Sequence, residues 1–154
     1  MKIGIANDHR GFKLKQELIE FLTNLGYEVI NYGSDSTEPV DYPEYAFKVG
    51  EAVVKGEIEK GILICRTGIG MSIACNKVKG VRCAKVDNVE EAALTRLDND
   101  SNVIAISYVK DITEIKEIIK TFLEIEFSKE ERHKRRIDLI DKYGEVWRLR
   151  LYSI

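Results

Sequence analysis

Short apolar runs alternate with amphipathic stretches along this chain, about five times over. The runs fall at residues 2–6, 27–32, 61–65, 81–86 and 102–107, and a polar or glycine-containing turn follows each. Runs of that length, with Ile or Val in each, read as strands buried on both faces, as in a parallel sheet. Between the first two, Leu14, Leu18, Phe21, Leu22 and Leu25 recur at helical spacing, and Gly26 stands where a helix C-cap is expected. Ile112, Ile115, Ile118, Ile119 and Phe122 repeat the pattern after the last run. Such alternation predicts a single-domain, doubly wound, Rossmann-like α/β/α sandwich. We expect five parallel strands in the order 2-1-3-4-5, joined by right-handed crossovers.

The C-terminus departs from this rhythm. Residues 128–143 predict one extra helix, with Ser128 as N-cap and Glu131 completing a capping box. The domain is therefore expected to span 1–143, leaving 144–154 as a tail that carries Trp147, Leu149, Leu151 and Tyr152. An apolar tail must cover something, either its own domain or a partner subunit.

Composition narrows the class. The 154 residues carry 24 Lys and Arg against 26 Asp and Glu, a net charge of −2. That balance argues against nucleic acid as the main partner, because such domains carry a basic excess. No apolar run approaches the ~20 residues that span a bilayer, and the start is too short for a signal peptide. Three cysteines, Cys65, Cys75 and Cys83, are an odd number without a CxxC pair, so neither a disulfide framework nor a zinc site is expected. A reduced, cytoplasmic domain is the expectation.

In open parallel sheets, ligands collect beyond the carboxyl ends of the strands, where the strand order reverses. The first and third strands flank that point. After the first stand Asn7, Asp8, His9, Arg10 and Gly11; after the third, Cys65, Arg66, Thr67, Gly68, Ile69, Gly70, Met71 and Ser72. The third glycine of a dinucleotide fingerprint would fall at Ile73, and no Walker lysine follows. The loop then either cradles a small oxyanion on backbone N–H groups or is only a tight turn. Cys65 is a packing residue, or a thiol whose ionised form is favoured by the helix N-terminus it faces. Cys75 and Cys83 read as packing residues. His9 suits an acid–base or phosphate role, against the alternative that Asp8 caps the turn and His9 is solvated. Arg132 and Arg136, one helical turn apart, suit bidentate phosphate binding unless they are plain surface charge.

Together these residues are familiar. The segments Asp8-His9-x-Gly11-Phe12, Asp41-Tyr42-Pro43, Gly61 to Ala74 with Cys65-x-Thr67-Gly68-x-Gly70-Met71-Ser72, Asn76-Lys77, Asn99-Asp100 and Arg132-His133-x-x-Arg136 closely resemble the ribose-5-phosphate isomerase B family. That family includes the galactose-6-phosphate isomerase subunits. The resemblance runs from Met1 to about Tyr143. It implies an aldose–ketose isomerase of phosphorylated sugars that works through an enediolate with no metal or other cofactor. By the same resemblance, Cys65 is the base and Thr67 assists it. Met71 marks the cysteine type, since a second type places glutamate there. The N–H groups of Gly68, Ile69, Gly70, Met71 and Ser72 would hold the enediolate oxygen. Asp8, Tyr42 and Asn99 match contacts to sugar hydroxyls; His9, Arg132 and Arg136 match the phosphate end.

Sites of this family lie between subunits. Asn99 precedes the fifth strand and so lies at the opposite edge of its own sheet from Cys65. We therefore expect a homodimer or dimer of dimers with shared sites. Three positions depart from the family. Asp98 replaces the histidine credited with ring opening; an aspartate could take the anomeric proton but is a poor acid at neutral pH. His9 is the alternative ring opener. Arg66 replaces a glycine, and Ser107-Tyr108-Val109-Lys110 lacks an expected arginine, a charge that Lys110 or Arg66 could restore. The default reaction is ribose 5-phosphate to ribulose 5-phosphate. The alternatives are allose or galactose 6-phosphate isomerisation, or a phosphosugar-binding protein without turnover.

Overall fold

The computed structural model describes residues 1–145. Five parallel strands form one sheet: β1 (Lys2–Asn7), β2 (Glu28–Asn31), β3 (Lys60–Cys65), β4 (Cys83–Lys85) and β5 (Val103–Ser107). The crossovers are the helices α1 (Phe12–Asn24), α2 (Tyr42–Val54), α3 (Ile69–Cys75) and α4 (Val89–Asn99); α5 (Ile112–Glu124) and α6 (Glu131–Lys142) follow the sheet. The doubly wound sandwich is as expected.

The strand order is not the expected one: it is β2-β1-β3-β5-β4, with the last two strands exchanged. The reason is burial. Residues Val103, Ile104, Ala105 and Ile106 of β5 are all fully buried, as suits a strand with neighbours on both sides and helices on both faces. The three residues of β4 are only half-buried, which suits an edge. The exchange leaves the reversal point between β1 and β3 in place but puts β5 beside β3, with Ser107 opposite Cys65.

Two cores result. On one face Ile3, Ile5, Ile62, Ile64, Ile104 and Ile106 meet α1, α4 and α5. On the other Ala6, Leu63, Cys65, Val103 and Ala105 meet α2 and α3. Alternation along each strand thus decides which catalytic candidates share a side: Cys65 points toward α2 and α3. Gly26 closes the first helix with φ of 94°, as its position suggested.

The last helix begins later than expected. Glu130, not Ser128, occupies its N-cap position and makes no side-chain cap. The Ser128 hydroxyl instead meets the ring of His133, so the capping box does not form. Of the proposed tail only Gly144 and Glu145 are described; Glu145 accepts from Lys79 of its own chain at 2.8 Å, and residues 146–154 lie outside the described ones.

Candidate active site

At the end of β1 the chain turns at once through a 3₁₀ turn, His9–Gly11, into α1. Asp8 makes that turn possible: its Oδ1 accepts from the N–H groups of Arg10 and Gly11, both at 3.0 Å. The capping role is thus real, and it leaves Oδ2 without a protein partner among the described residues. His9 is not simply solvated. Among the described residues its Nδ1 is buried and unpartnered, as is Oδ1 of the fully buried Asn7.

At the end of β3, Cys65 is nearly buried, and the N–H of Gly68 donates to its sulfur at 3.1 Å. That bond becomes charge-assisted once the sulfur is ionised. Thr67 Oγ1 accepts from the N–H of Ile69 at 3.1 Å, so its own hydroxyl proton stays available. Gly68 takes φ of 79°, and a Cβ there would stand 3.0 Å from the carbonyl oxygen of Ala105. Only glycine lets the loop lie flat against β5. Ser107 completes the clamp, donating from Oγ to the Arg66 carbonyl at 2.6 Å while Tyr108 N–H donates to the Cys65 carbonyl at 3.0 Å.

Of the five N–H groups expected to hold an oxyanion, three are engaged. Gly68 serves Cys65, Ile69 serves Thr67, and Ser72 donates to the Gly68 carbonyl. Gly70 and Met71, in the first turn of α3, have no acceptor among the described residues and remain for a ligand. Tyr42 reaches the same loop from the start of α2: a Cβ on Gly70 would meet its hydroxyl at 2.6 Å. Asp8, His9, Tyr42, Cys65, Thr67 and the glycine loop are therefore one group at the carboxyl edge. Arg66 is exposed there, with no ion pair among the described residues, whereas Lys110 pairs with Glu114 at 3.5 Å. Cys75 is fully buried, and the Cys83 thiol is pushed well up by its hydrogen bond to Cys75 and by burial, so both pack as expected.

The remaining candidates form a second group. Asp98 and Asn99 end α4, and Asp100 follows with φ of 45° before β5 begins. Gly61, four residues before Cys65, pairs with Val103, so this turn lies at the amino edge, roughly 13 Å or more from Cys65 at ~3.3 Å per residue. Arg132 and Arg136 join it because α6 packs on α4: Ser128 N–H donates to the Leu97 carbonyl, and His133 faces Asp98 at 3.6 Å. Arg132 leans on Glu130 at 2.8 Å, and Arg136 is exposed. A groove of about 230 Å³ opens beside Asn99, lined in part by Arg82, Cys83 and Thr95.

The sequence reading missed the side chains that fix these positions. Arg82 holds the Asn99 and Asp100 carbonyls and both carboxylate oxygens of Asp141 in α6, and Arg96 binds Asp100 at 2.7 Å. Lys15, fully buried in α1, donates to the Ser34 carbonyl at 2.6 Å and to Asp35 at 2.9 Å. It thereby ties down the segment that leads from β2 to Tyr42. A lysine in line with Leu18 and Leu22 on the apolar stripe of α1 was the available signal. Among the described residues no cluster of His, Cys, Asp and Glu could hold a metal ion, and no helix is long and apolar enough to cross a membrane.

Known proteins resemble this chain in both sequence and fold. The ribose/galactose isomerase family profile matches residues 3–140. Ribose-5-phosphate isomerase B of Escherichia coli (strain K12) is 42% identical over 140 residues, 90% of this chain and 93% of that one. The Clostridium thermocellum ribose-5-phosphate isomerase B structure superposes with a TM-score of 0.92 at 43% identity, covering 96% and 99% of the two chains. That of Mycoplasma genitalium, with ribulose-5-phosphate bound, gives 0.89 at 39% identity, covering 94% and 96%. A family match over nearly the whole chain, on a sheet that presents these residues at its reversal point, places the protein: it belongs to the ribose/galactose isomerase family, and with it to the aldose–ketose isomerases of sugar phosphates.

Proposed function

We propose that the chain interconverts ribose 5-phosphate and ribulose 5-phosphate through an enediolate, with Cys65 as the base. The observation that carries this reading is the Cys65 thiol under the Gly68 N–H, next to the unengaged N–H groups of Gly70 and Met71. A carbon acid beside a carbonyl needs a placed base and a preorganised anion site, and both are here. The thiolate of Cys65 takes the proton from C2 of the open aldose. The C–H electron pair becomes the C1=C2 bond, and the carbonyl electrons move onto O1. Gly70 and Met71 hold that oxygen and Thr67 assists the thiol. The proton on O2 passes to O1 as C2=O2 forms, and the C1=C2 pair takes the proton from the Cys65 thiol at C1 to give the ketose. Asp8 Oδ2 and Tyr42 meet the sugar hydroxyls, and His9 meets the phosphate with Arg66 beside it.

Asn99, Arg132 and Arg136 complete the site from a second copy of the chain. Their separation from Cys65 within one chain supports this, because a pentose phosphate cannot span the sheet. We infer a homodimer, or a dimer of dimers, working in the cytoplasm with its cysteines reduced.

The test is isomerisation of ribose 5-, allose 6- and galactose 6-phosphate by wild type and Cys65→Ala. Turnover of ribose 5-phosphate, lowered about 10²–10⁴-fold in the variant as expected for a lost general base, supports the reading. Turnover that survives the substitution sinks Cys65 as base. Preference for a hexose phosphate redirects the substrate, and binding without turnover makes the chain a phosphosugar-binding protein.

A further inference from the structure

The outer face of α6 takes no part in the site described above. At about 3.6 residues per turn the helix presents three faces. His133 and Ile137 are buried on the inner one, with Asp141 held by Arg82 on the same side. Arg132 and Arg136 form a second face, which completes the shared site proposed above. The third carries Glu131, Arg135, Asp138 and Lys142, all exposed. With Lys134 and Leu139 they border a shallow trough of about 530 Å³ along the helix.

The charges on this strip are not consumed within the chain. Glu131 pairs with Lys134 at 3.1 Å, and the other ion pairs of α6 run through Arg132, His133 and Asp141. Arg135, Asp138 and Lys142 have no ion-pair partner among the described residues. Plain helix stabilisation would pair Glu131 with Arg135 and Asp138 with Lys142, one turn apart, and neither pair forms.

The order of these residues has a property that the single charges lack. Turned end for end about the middle of the helix, the strip is its own complement. Glu131 then falls opposite Lys142, Arg135 opposite Asp138, and the 68% exposed Leu139 opposite the aliphatic stem of Lys134. Each contact occurs twice. Laid parallel and in register, the same residues set arginine on arginine and aspartate on aspartate. A surface complementary to itself under a half-turn is what a two-fold contact between identical chains requires. A different protein would have to carry the reverse pattern, whereas a second copy carries it by construction.

We propose that the outer faces of two α6 helices pair antiparallel and that this contact joins two shared-site dimers into a tetramer. The count of four rests on the dimer inferred above; the helix contact uses a different face. From Glu131 to Lys142 the strip is about 16 Å long, so it buries less than a standard interface of roughly 1,600 Å². Exposed ion pairs add little each and are screened by salt. The tetramer is therefore weak, concentration-dependent and lost at high ionic strength.

The test is sedimentation of the full-length chain over a range of concentrations, at about 0.1 and 1 M NaCl, between which the screening length falls from about 10 to 3 Å. Wild type should pass from two chains to four as concentration rises at the lower salt, and stay at two at the higher. Arg135→Glu and Asp138→Arg, each of which sets like charges opposite one another, should hold the assembly at two. Combined, the two substitutions exchange the pair and should restore four. All replace exposed residues, so melting temperatures should stay close to that of wild type. Wild type that stays at two chains in every variant overturns the proposal. So do four chains that persist in both single variants, and a double variant that fails to reassociate. Wild type at two chains that the single variants reduce to one keeps the helix contact and overturns the shared-site dimer instead. Wild type at one chain overturns both.

Discussion

Lys60 opens β3 with its ammonium beneath the last carbonyls of α5, donating to Phe122 and Leu123 at 3.3 Å each. Burial first, and then the nearby Arg96, pull its pKa down from the ordinary lysine value to about 8. The sign follows from proton counting. Between about pH 8 and the ordinary value near 10.5 the unfolded chain binds more protons than the folded one, so this group adds stability as pH rises through that window. Below it both states are charged and the penalty of burying the ammonium is complete. Urea unfolding of wild type and Lys60→Met from pH 7 to 10.5 should show a difference that moves in favour of wild type only above about pH 8. A difference that stays constant would mean that Lys60 keeps its ordinary acidity. Little of this was legible beforehand, because Lys60 precedes an apolar run as any surface lysine does. Cys65 was legible as a candidate, but its bond from Gly68 was not, since that needs the turn between them.

Among the elements, the loop from Cys65 to α3 has the least room. Gly68 combines positive φ with close approach to the backbone of β5, and alanine there meets both penalties, about 1–3 kcal/mol for the strained residue. Gly68→Ala should lower stability and also cut kcat about 10²-fold, the scale of one misaligned donor, because the shift moves the N–H aimed at Cys65. Gly56→Ala is the control: its φ is 74°, yet nothing among the described residues stands within 4 Å of the added carbon. It should lose comparable stability with kcat unchanged, measured by thermal melts and steady-state kinetics side by side. Full turnover in Gly68→Ala would separate this loop from the chemistry. Helix spacing made α1 and α5 readable in advance. The start of α6 was misread because Ser128 has two suitors, the cap and the His133 ring, and tertiary packing supplied the second.

At the scale of the whole molecule, the candidate site is divided between the two edges of one sheet. If two copies complete each other, two damaged chains should repair each other. Cys65→Ala and Arg136→Ala should each be inactive alone. Refolded together in equal amounts, they should recover about a quarter of wild-type activity, because half of the dimers are mixed and each mixed dimer has one intact site of two. Co-refolding with no recovery, both variants being folded, would sink the shared site. The exchanged order of β4 and β5 belongs to this scale too. Local pattern shows that both segments are strands, while which one sits inside depends on how much of each the helices can bury.

The one-dimensional pattern was enough for the class of fold, the helices of the crossovers, the reversal point between β1 and β3 and the residues gathered at its mouth. Those properties follow from spacing along the chain, and apolar periodicity encodes spacing directly. Other features depend on segments far apart in sequence. The place of β5 beside β3, the engagement of three loop N–H groups and the meeting of Ser128, His133 and Asp98 were decided only when burial and hydrogen bonding were satisfied together. Competition for a limited number of buried partners is a property of the packed molecule, and no stretch of sequence contains it.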